Sequence, residues 1–107
     1  THYGNPDIYL TENGCAYPDK IDANGEVQDT DRINYFRKYL SAVKRAIDNG
    51  AKVKSYFAWS FLDNFEWALG YEKRFGIVYV DFKTLKRTPK KSYYFFKKLI
   101  ESNFIPN

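Results

Sequence analysis

Hydrophobic and polar residues follow two different periods along this chain, and each change of period marks a structural element. A short β-prone run over residues 7–11 (Asp-Ile-Tyr-Leu-Thr) is ended by Asn13 and Gly14. Short runs of β-branched and aromatic residues bounded by turn residues are typical of strands. The pattern therefore predicts a buried strand that terminates near Glu12.

The next segment changes from a loop pattern to a helix pattern. Residues 15–28 are polar and interrupted by Pro18, which predicts a loop. Beyond them, apolar residues recur at spacings of 3, 4, 3 and 4, at Ile33, Phe36, Leu40, Val43 and Ile47. Asp29 and Asp31 precede this stripe and Gly50 follows it. The pattern predicts an amphipathic helix with acids at its positive end and a glycine stop.

A continuous apolar run, Tyr56-Phe57-Ala58-Trp59, lies within residues 53–60. The run is too short for a helix, so it predicts a strand that is buried on both faces. Strand, helix and strand within about 50 residues form a βαβ unit, whose two strands run parallel through a right-handed crossover.

The last third of the chain combines a hairpin pattern with a second helix pattern. Residues 75–82 are β-prone, and residues 83–86 supply the turn that closes the hairpin. Thr88 and Pro89 are a typical cap and first-turn pair, which predicts a helix through about Ser102. The side chains expected to face inward are Tyr93, Phe96, Leu99 and Ile100. The fold class is therefore α/β, with strand followed by helix twice.

The composition of the 107 residues excludes several classes of protein. Aromatic residues make up 20%, against only six glycines and four prolines, so collagen-like and low-complexity chains are excluded. The apolar runs are too short to span a bilayer, so we expect no membrane partner. The net charge is +4, but the basic residues lie in dispersed pairs without a nucleic-acid-binding motif. We therefore expect no nucleic-acid partner.

The sequence also offers little for metal or cofactor chemistry. Cys15 is the single cysteine, and no Cys-x-x-Cys pair or Cys/His cluster is present. The single histidine, His2, lies near the start of the chain. We expect neither a metal nor a cofactor. The chain has no Asn-x-Ser/Thr acceptor for N-glycosylation, which slightly favours a cytoplasmic location.

Two of the predicted strands end in residues that suit a sugar. Ligands collect at the carboxyl ends of parallel strands, where Glu12 and Trp59 are placed, and the following loop adds Asp63, Glu66 and Trp67 to the same face. An aromatic ring stacks on the apolar face of a sugar while carboxylates accept its hydroxyl protons. The pattern favours a carbohydrate site. Acids that cap helices or pair with lysines, and aromatics that fill a core, are the competing interpretation.

Three motifs carry a more specific resemblance. They cover residues 8–14 (Ile-Tyr-Leu-Thr-Glu-Asn-Gly), 57–67 (Phe-Ala-Trp-Ser-Phe-Leu-Asp-Asn-Phe-Glu-Trp) and 74–81 (Arg-Phe-Gly-Ile-Val-Tyr-Val-Asp). In this order they resemble three signatures of glycoside hydrolase family 1, the β-glucosidase family. The resemblance implies a (β/α)8 TIM barrel, of which residues 1–107 are the C-terminal sector with the last two strand-helix units.

The resemblance also implies a role for each candidate residue. Glu12 matches the nucleophile of a retaining β-glycosidase, which works by double displacement through a glycosyl-enzyme intermediate. Trp59 matches the sugar platform and Phe75 an aromatic wall nearby. Glu66 matches the glutamate that binds the glycone, and Trp67 the indole whose N–H donates to a glycone hydroxyl. Relatives acting on 6-phosphorylated sugars carry a small hydroxyl residue at the position of Glu66, so an unphosphorylated β-glycoside is the implied substrate.

One part of the family's machinery is not in this chain. The proton-donating glutamate belongs to an Asn-Glu-Pro motif, and no such motif occurs here. A complete barrel takes about 200 to 400 residues, so we expect the chain to be inactive alone and to need the N-terminal remainder of the barrel as its partner. Two alternatives stay open: a non-catalytic carbohydrate-binding fragment that uses Trp59, Glu66 and Trp67, and a structural fragment that binds its missing half but no sugar.

Overall fold

The computed structural model describes residues 4–65 and 72–107. Its elements in chain order are β1 (Asp7–Asn13), α1 (Thr30–Asp48), β2 (Lys52–Ala58), β3 (Val78–Val80), β4 (Arg87–Pro89) and α2 (Lys91–Ser102). β1 pairs with β2 in parallel, and β3 pairs with β4 antiparallel. Both the predicted βαβ unit and the predicted hairpin are confirmed.

The parallel pairing of β1 with β2 contains two register shifts of opposite sense. At the first, Ile8 and Tyr9 face residues that are two apart on β2, so β2 carries the extra residue. At the second, Leu10 and Asn13 are three residues apart on β1 but face residues that are only two apart on β2. Here β1 carries the extra residue. The two shifts cancel along the sheet. The second is a β-bulge, and it contains Glu12.

The predicted α1 helix is confirmed, with Asn49 as its C-cap and Gly50 just beyond. Phe36 is fully buried, whereas Ile47 at the far end of the apolar stripe is 46% exposed. Arg32 is also fully buried. Since residues four apart share one helix face, Arg32 lies on the same inward face as Phe36.

Asp29 is the N-cap residue of α1, but its side chain accepts no hydrogen bond from a backbone N–H at that helix end. Its Oδ1 instead accepts the backbone N–H of Ser92 at 2.9 Å, in the first turn of α2. Its Oδ2 accepts a hydrogen bond from Arg32 at 2.7 Å. The first N–H groups of a helix lack helical partners. Asp29 therefore stabilises the start of α2 rather than the start of α1, the helix that it directly precedes.

The predicted start of α2 is wrong. Thr88 and Pro89 lie in β4, where they pair with Tyr79 and Val78, and Lys90 is the N-cap of the helix. A Thr-Pro pair fits the end of an edge strand as well as a helix start, and here the hairpin pairing decides between the two.

The inward face of α2 also differs from the expectation. The helix packs along a stripe that includes the expected Tyr93, Phe96 and Leu99, together with Ser92 and Phe95, which were not expected to face inward. Phe95 is 5% exposed, whereas Ile100, which was expected to face inward, is 78% exposed. Ile100 lies at the edge of this stripe, one residue beyond its last member. The core is formed by Phe36, Ile77, Val78 and Phe95.

The two parallel strands are not buried as the sequence predicts. Tyr9 is 60% exposed and Phe57 58% exposed. Within the described residues, β1 and β2 have only each other as neighbouring strands, so one edge of each strand is open. In the same part of the chain, no helix is both long and apolar enough to cross a membrane.

Candidate active site

Glu12 is the residue before the last one of β1, within the bulge. It is exposed, and its carboxylate has no hydrogen bond or ion pair with other described residues. The carboxyl ends of parallel strands are where α/β proteins bind ligands. This carboxylate is therefore accessible from the edge of the sheet where a substrate would bind.

Trp59 lies directly beside the end of β1. Its backbone N–H donates to the carbonyl oxygen of Asn13 at 2.7 Å. A Cβ atom at position 14 would stand only 1.9 Å from the carbonyl oxygen of Trp59, so only glycine fits at Gly14. The Asn-Gly pair that ends β1 is thus explained by a contact with the second strand. Trp59 is 39% exposed, and the peptide bond after it is cis.

A third segment joins the same edge through the residue after Trp59. The backbone N–H of Ser60 donates to the carbonyl oxygen of Phe75 at 3.0 Å, and the N–H of Ile77 donates to the carbonyl oxygen of Ser60 at 2.9 Å. Backbone contacts therefore connect the segments that carry Glu12, Trp59 and Phe75. The other two candidates from the sequence, Glu66 and Trp67, lie outside the described residues.

A buried ionic cluster behind this edge was not predicted from the sequence. Lys90 donates to Asp63 Oδ1 at 2.8 Å, and Arg74 donates to Asp63 Oδ2 at 2.8 Å. Asp63 also accepts the backbone N–H of Gly76 at 3.0 Å. The side chain of Asp63, which was expected to share the face of Glu12, is instead turned into the protein with no exposed area.

The ionic cluster extends from Lys90 to the start of α1. Asp19 accepts hydrogen bonds from both Lys90 and Arg32 at 2.7 Å, and Asp29 accepts a second bond from Arg32 at 2.7 Å. Arg32 also donates to the carbonyl oxygen of Arg74 at 2.7 Å. Burial lowers the pKa of Arg32, but Asp19 and Asp29 outweigh burial and raise it, so the guanidinium stays charged. Each buried charge in the cluster has a partner of opposite sign, which such charges require.

Aromatic hydroxyl groups surround the residue that follows Glu12. Tyr56 donates to Asn13 Oδ1 at 2.5 Å, and burial raises the pKa of Tyr56 well above its ordinary value. Burial also raises the pKa of Tyr35, and a hydrogen bond with Asn13 offsets part of that rise. Burial raises the pKa of the nearby Cys15 thiol to about 11. All three groups are therefore neutral near pH 7.

Among residues 4–65 and 72–107, no three side chains of His, Cys, Asp or Glu are grouped so that they could hold a metal ion. The acidic side chains of the ionic cluster are neutralised by lysine and arginine instead.

Comparison with known proteins shows consistent similarity to one family of enzymes. β-Glucosidase 26 of Oryza sativa subsp. japonica is 58% identical over 94% of this chain and 20% of its own length. β-Glucosidase A of Acetivibrio thermocellus is 52% identical over 94% of this chain and 22% of its own length. The solved family 1 β-glucosidase of Thermotoga maritima superposes with a TM-score of 0.94 and 46% identity, covering 98% of this chain and 24% of that one.

The chain therefore spans about a fifth to a quarter of the length of these relatives. It has the fold of a sector of the (β/α)8 barrel that they form. The family model described as Glycosyl hydrolase family 1 matches residues 1–105, and the chain belongs to that family.

Proposed function

We propose that this chain supplies the nucleophile and part of the sugar-binding wall of a retaining β-glycosidase that hydrolyses unphosphorylated β-glycosides. The observation that carries the proposal is the exposed carboxylate of Glu12, which has no partner among the described residues and lies on the edge that also carries Trp59 and Phe75. The β-glucosidase names of the relatives support the reaction class.

In the proposed reaction, a carboxylate oxygen of Glu12 attacks the anomeric carbon. The bond to the leaving oxygen breaks, and a carboxylic acid of the remaining barrel protonates that oxygen. The same acid, now a carboxylate, removes a proton from water, which attacks the anomeric carbon and releases Glu12. In retaining enzymes the two carboxyl groups stand about 5 to 5.5 Å apart, so the second group must reach the same end of the barrel as Glu12.

The other candidates have roles in holding the sugar. Trp59 and Phe75 offer aromatic surface for the apolar face of the ring. Glu66 and Trp67 would bind glycone hydroxyls far from the anomeric carbon. Because the Glu66 carboxylate would repel a phosphate dianion, the proposal is restricted to unphosphorylated glycones.

The test is a chimaera in which this chain replaces the matching segment of the Thermotoga maritima β-glucosidase, with which it shares 46% identity. The chimaera is incubated with a 2-deoxy-2-fluoro-β-glucoside that carries a dinitrophenolate leaving group. We expect one covalent label, on the peptide that contains Glu12. Deoxynojirimycin, which is present in one structure of the Thermotoga maritima enzyme, should slow the labelling.

Two variants and the product stereochemistry make this test decisive. Glu12→Gln should lower kcat/KM by about 10⁴-fold or more, as removal of a covalent nucleophile does. Glu101→Gln, at an exposed position of α2, should leave it unchanged. Proton NMR of the first product should show the β anomer. A folded chimaera that is labelled elsewhere, or that releases the α anomer, contradicts the proposal. Sugar binding without turnover, unchanged in Glu12→Gln, would favour the carbohydrate-binding alternative.

A further inference from the structure

We propose that Tyr56 is a positioning residue for Glu12, because its hydroxyl holds the side chain of Asn13 and so fixes the bulge from which Glu12 projects. The inference rests on the proposed function, since it concerns the placement of the nucleophile. Neither Tyr56 nor Asn13 is assigned a sugar contact in that proposal.

The hydrogen bond spans the irregular part of the sheet. Tyr56 stands opposite Leu10, the last regular pair before the bulge, yet its hydroxyl donates to Asn13 three residues further along β1. The stretch between these two anchor points consists of Thr11 and Glu12. A bulge interrupts the ladder and bends the strand, so its conformation depends on contacts other than regular pairing.

Two further contacts hold the main chain at the end of β1, one at Asn13 and one at Gly14. The backbone N–H of Trp59 donates to the carbonyl oxygen of Asn13 at 2.7 Å, and Gly14 rests directly on the carbonyl group of Trp59. Asn13 is therefore fixed by both its main chain and its side chain. Since the carboxylate of Glu12 has no partner among the described residues, its placement depends on its neighbour in sequence.

Small displacements of a nucleophile have large effects on rate. Attack requires reacting atoms about 3 to 3.5 Å apart, and a shift of about 1 Å costs on the order of 10²-fold. The effect falls on the chemical step rather than on sugar binding, because Tyr56 is not placed on the sugar. Burial keeps the Tyr56 hydroxyl protonated, so it remains a donor across the neutral pH range.

The experiment uses the chimaera and the variant Tyr56→Phe, which removes the hydroxyl and keeps the ring. We expect kcat and the rate of covalent labelling at Glu12 to fall about 10- to 100-fold while KM changes less than about twofold. The matched control is Tyr94→Phe, since Tyr94 is 49% exposed on α2. The control should leave all three quantities unchanged.

A double-mutant cycle tests whether the effect passes through Asn13. Asn13→Ala should lower kcat by a similar factor, and Tyr56→Phe in that background should change kcat by less than about twofold. If Tyr56→Phe fails to fold, Asn13→Ala supplies the same kinetic readout.

Other results would overturn either the inference about Tyr56 or the proposed function itself. Unchanged kcat in Tyr56→Phe overturns the inference, including the case in which only the melting temperature falls, because the hydroxyl is then merely structural. Effects of the two substitutions that multiply independently also overturn it. If the folded unsubstituted chimaera takes no label at Glu12, the proposed function itself has failed.

Discussion

The charges of the ionic cluster are paired within this chain, whereas much of the apolar surface of the β1–β2 sheet is not covered by it. The side chains of Arg32 and Lys90 are fully buried and paired with aspartates. In the sheet, by contrast, Tyr9 is 60% and Phe57 58% exposed. Charges that leave water need partners at once, whereas apolar surface can be covered later by any element of suitable shape.

The open side of the sheet continues into an apolar groove between β2 and α2. The groove has a volume of about 560 Å³, and its walls include Leu40, Phe57, Phe61, Phe96 and Ile100. The relatives are four to five times longer than this chain, which covers 20% to 24% of them. We interpret the sheet and the groove as the surface that the rest of the barrel covers.

The largest expected loss of stability comes from removing one charge of the ionic cluster. Lys90→Met leaves Asp19 and Asp63 buried without this cation, and loss of one partner from a buried pair costs about 3 to 5 kcal/mol. Urea unfolding of the chimaera measures the change. Lys98→Met on the exposed side of α2 is the control and should change stability by less than about 0.5 kcal/mol. Equal changes in the free energy of unfolding in both variants would show that the ion pairs of the cluster do not stabilise the fold.

The next prediction concerns the exposed apolar surface of the β1–β2 sheet. Phe57 is mostly exposed in this chain, so Phe57→Ala should change the stability of the chain alone by less than about 1 kcal/mol. In the chimaera the same substitution should cost about 3 kcal/mol, because there the ring is expected to be part of a core. The comparison of the two urea-unfolding experiments tests our interpretation of the sheet. A small cost in both would contradict it.

Disturbing the contact between Gly14 and Trp59 should cost less stability than the changes above. It should also affect the reaction at Glu12. Gly14→Ala places a methyl group against the carbonyl of Trp59, and overpacking of this kind costs about 1 to 3 kcal/mol. The strand ends must separate, so we expect a lower melting temperature together with slower labelling of Glu12. Unchanged stability and labelling would mean that the two strand ends are not rigidly held.

The smallest expected effect is a dependence on alkaline pH at Cys15. The pKa of the folded thiol is about 11, above the ordinary value of 9.0. The stabilising contribution of the neutral thiol is therefore complete below pH 9 and is lost as the pH rises through about 11. The difference in unfolding midpoint between the chimaera and its Cys15→Ser variant should shrink in this window. Iodoacetamide should also react slowly at pH 8, because little thiolate is present; fast alkylation of the folded protein would refute the prediction.

The sequence predicted those features that depend on neighbouring residues. The apolar stripe of α1, the run ending at Trp59 and the Asn-Gly turn predicted the βαβ unit correctly. The exposure of Phe57 could not be predicted, because the pattern reflects burial in a complete fold. Glu12 and Trp59 lie on the same edge, as predicted, but their catalytic and binding roles stay predictions.

The ionic cluster was missed because its members are distant in sequence. Lys90 and Asp19 are 71 residues apart, and no local pattern connects them. One signal was available, since Arg32 interrupts the apolar face of α1 one turn before Phe36. No sequence pattern predicted the hydrogen bond from Tyr56 to Asn13, because this bond crosses a bulge that the pattern of residues does not predict.

The two opposite register shifts between β1 and β2 have a consequence for how this sheet can change in evolution. A single residue inserted into or deleted from one strand turns every following side chain to the other face of the sheet. Glu12 would then point away from the ligand-binding edge. One deletion in each strand, at Lys54 in β2 and at Thr11 in the bulge of β1, would keep the ends of the strands aligned and retain Glu12. Changes in length are therefore expected to occur in pairs across this sheet, while single insertions are expected in the loop between Cys15 and Gln28.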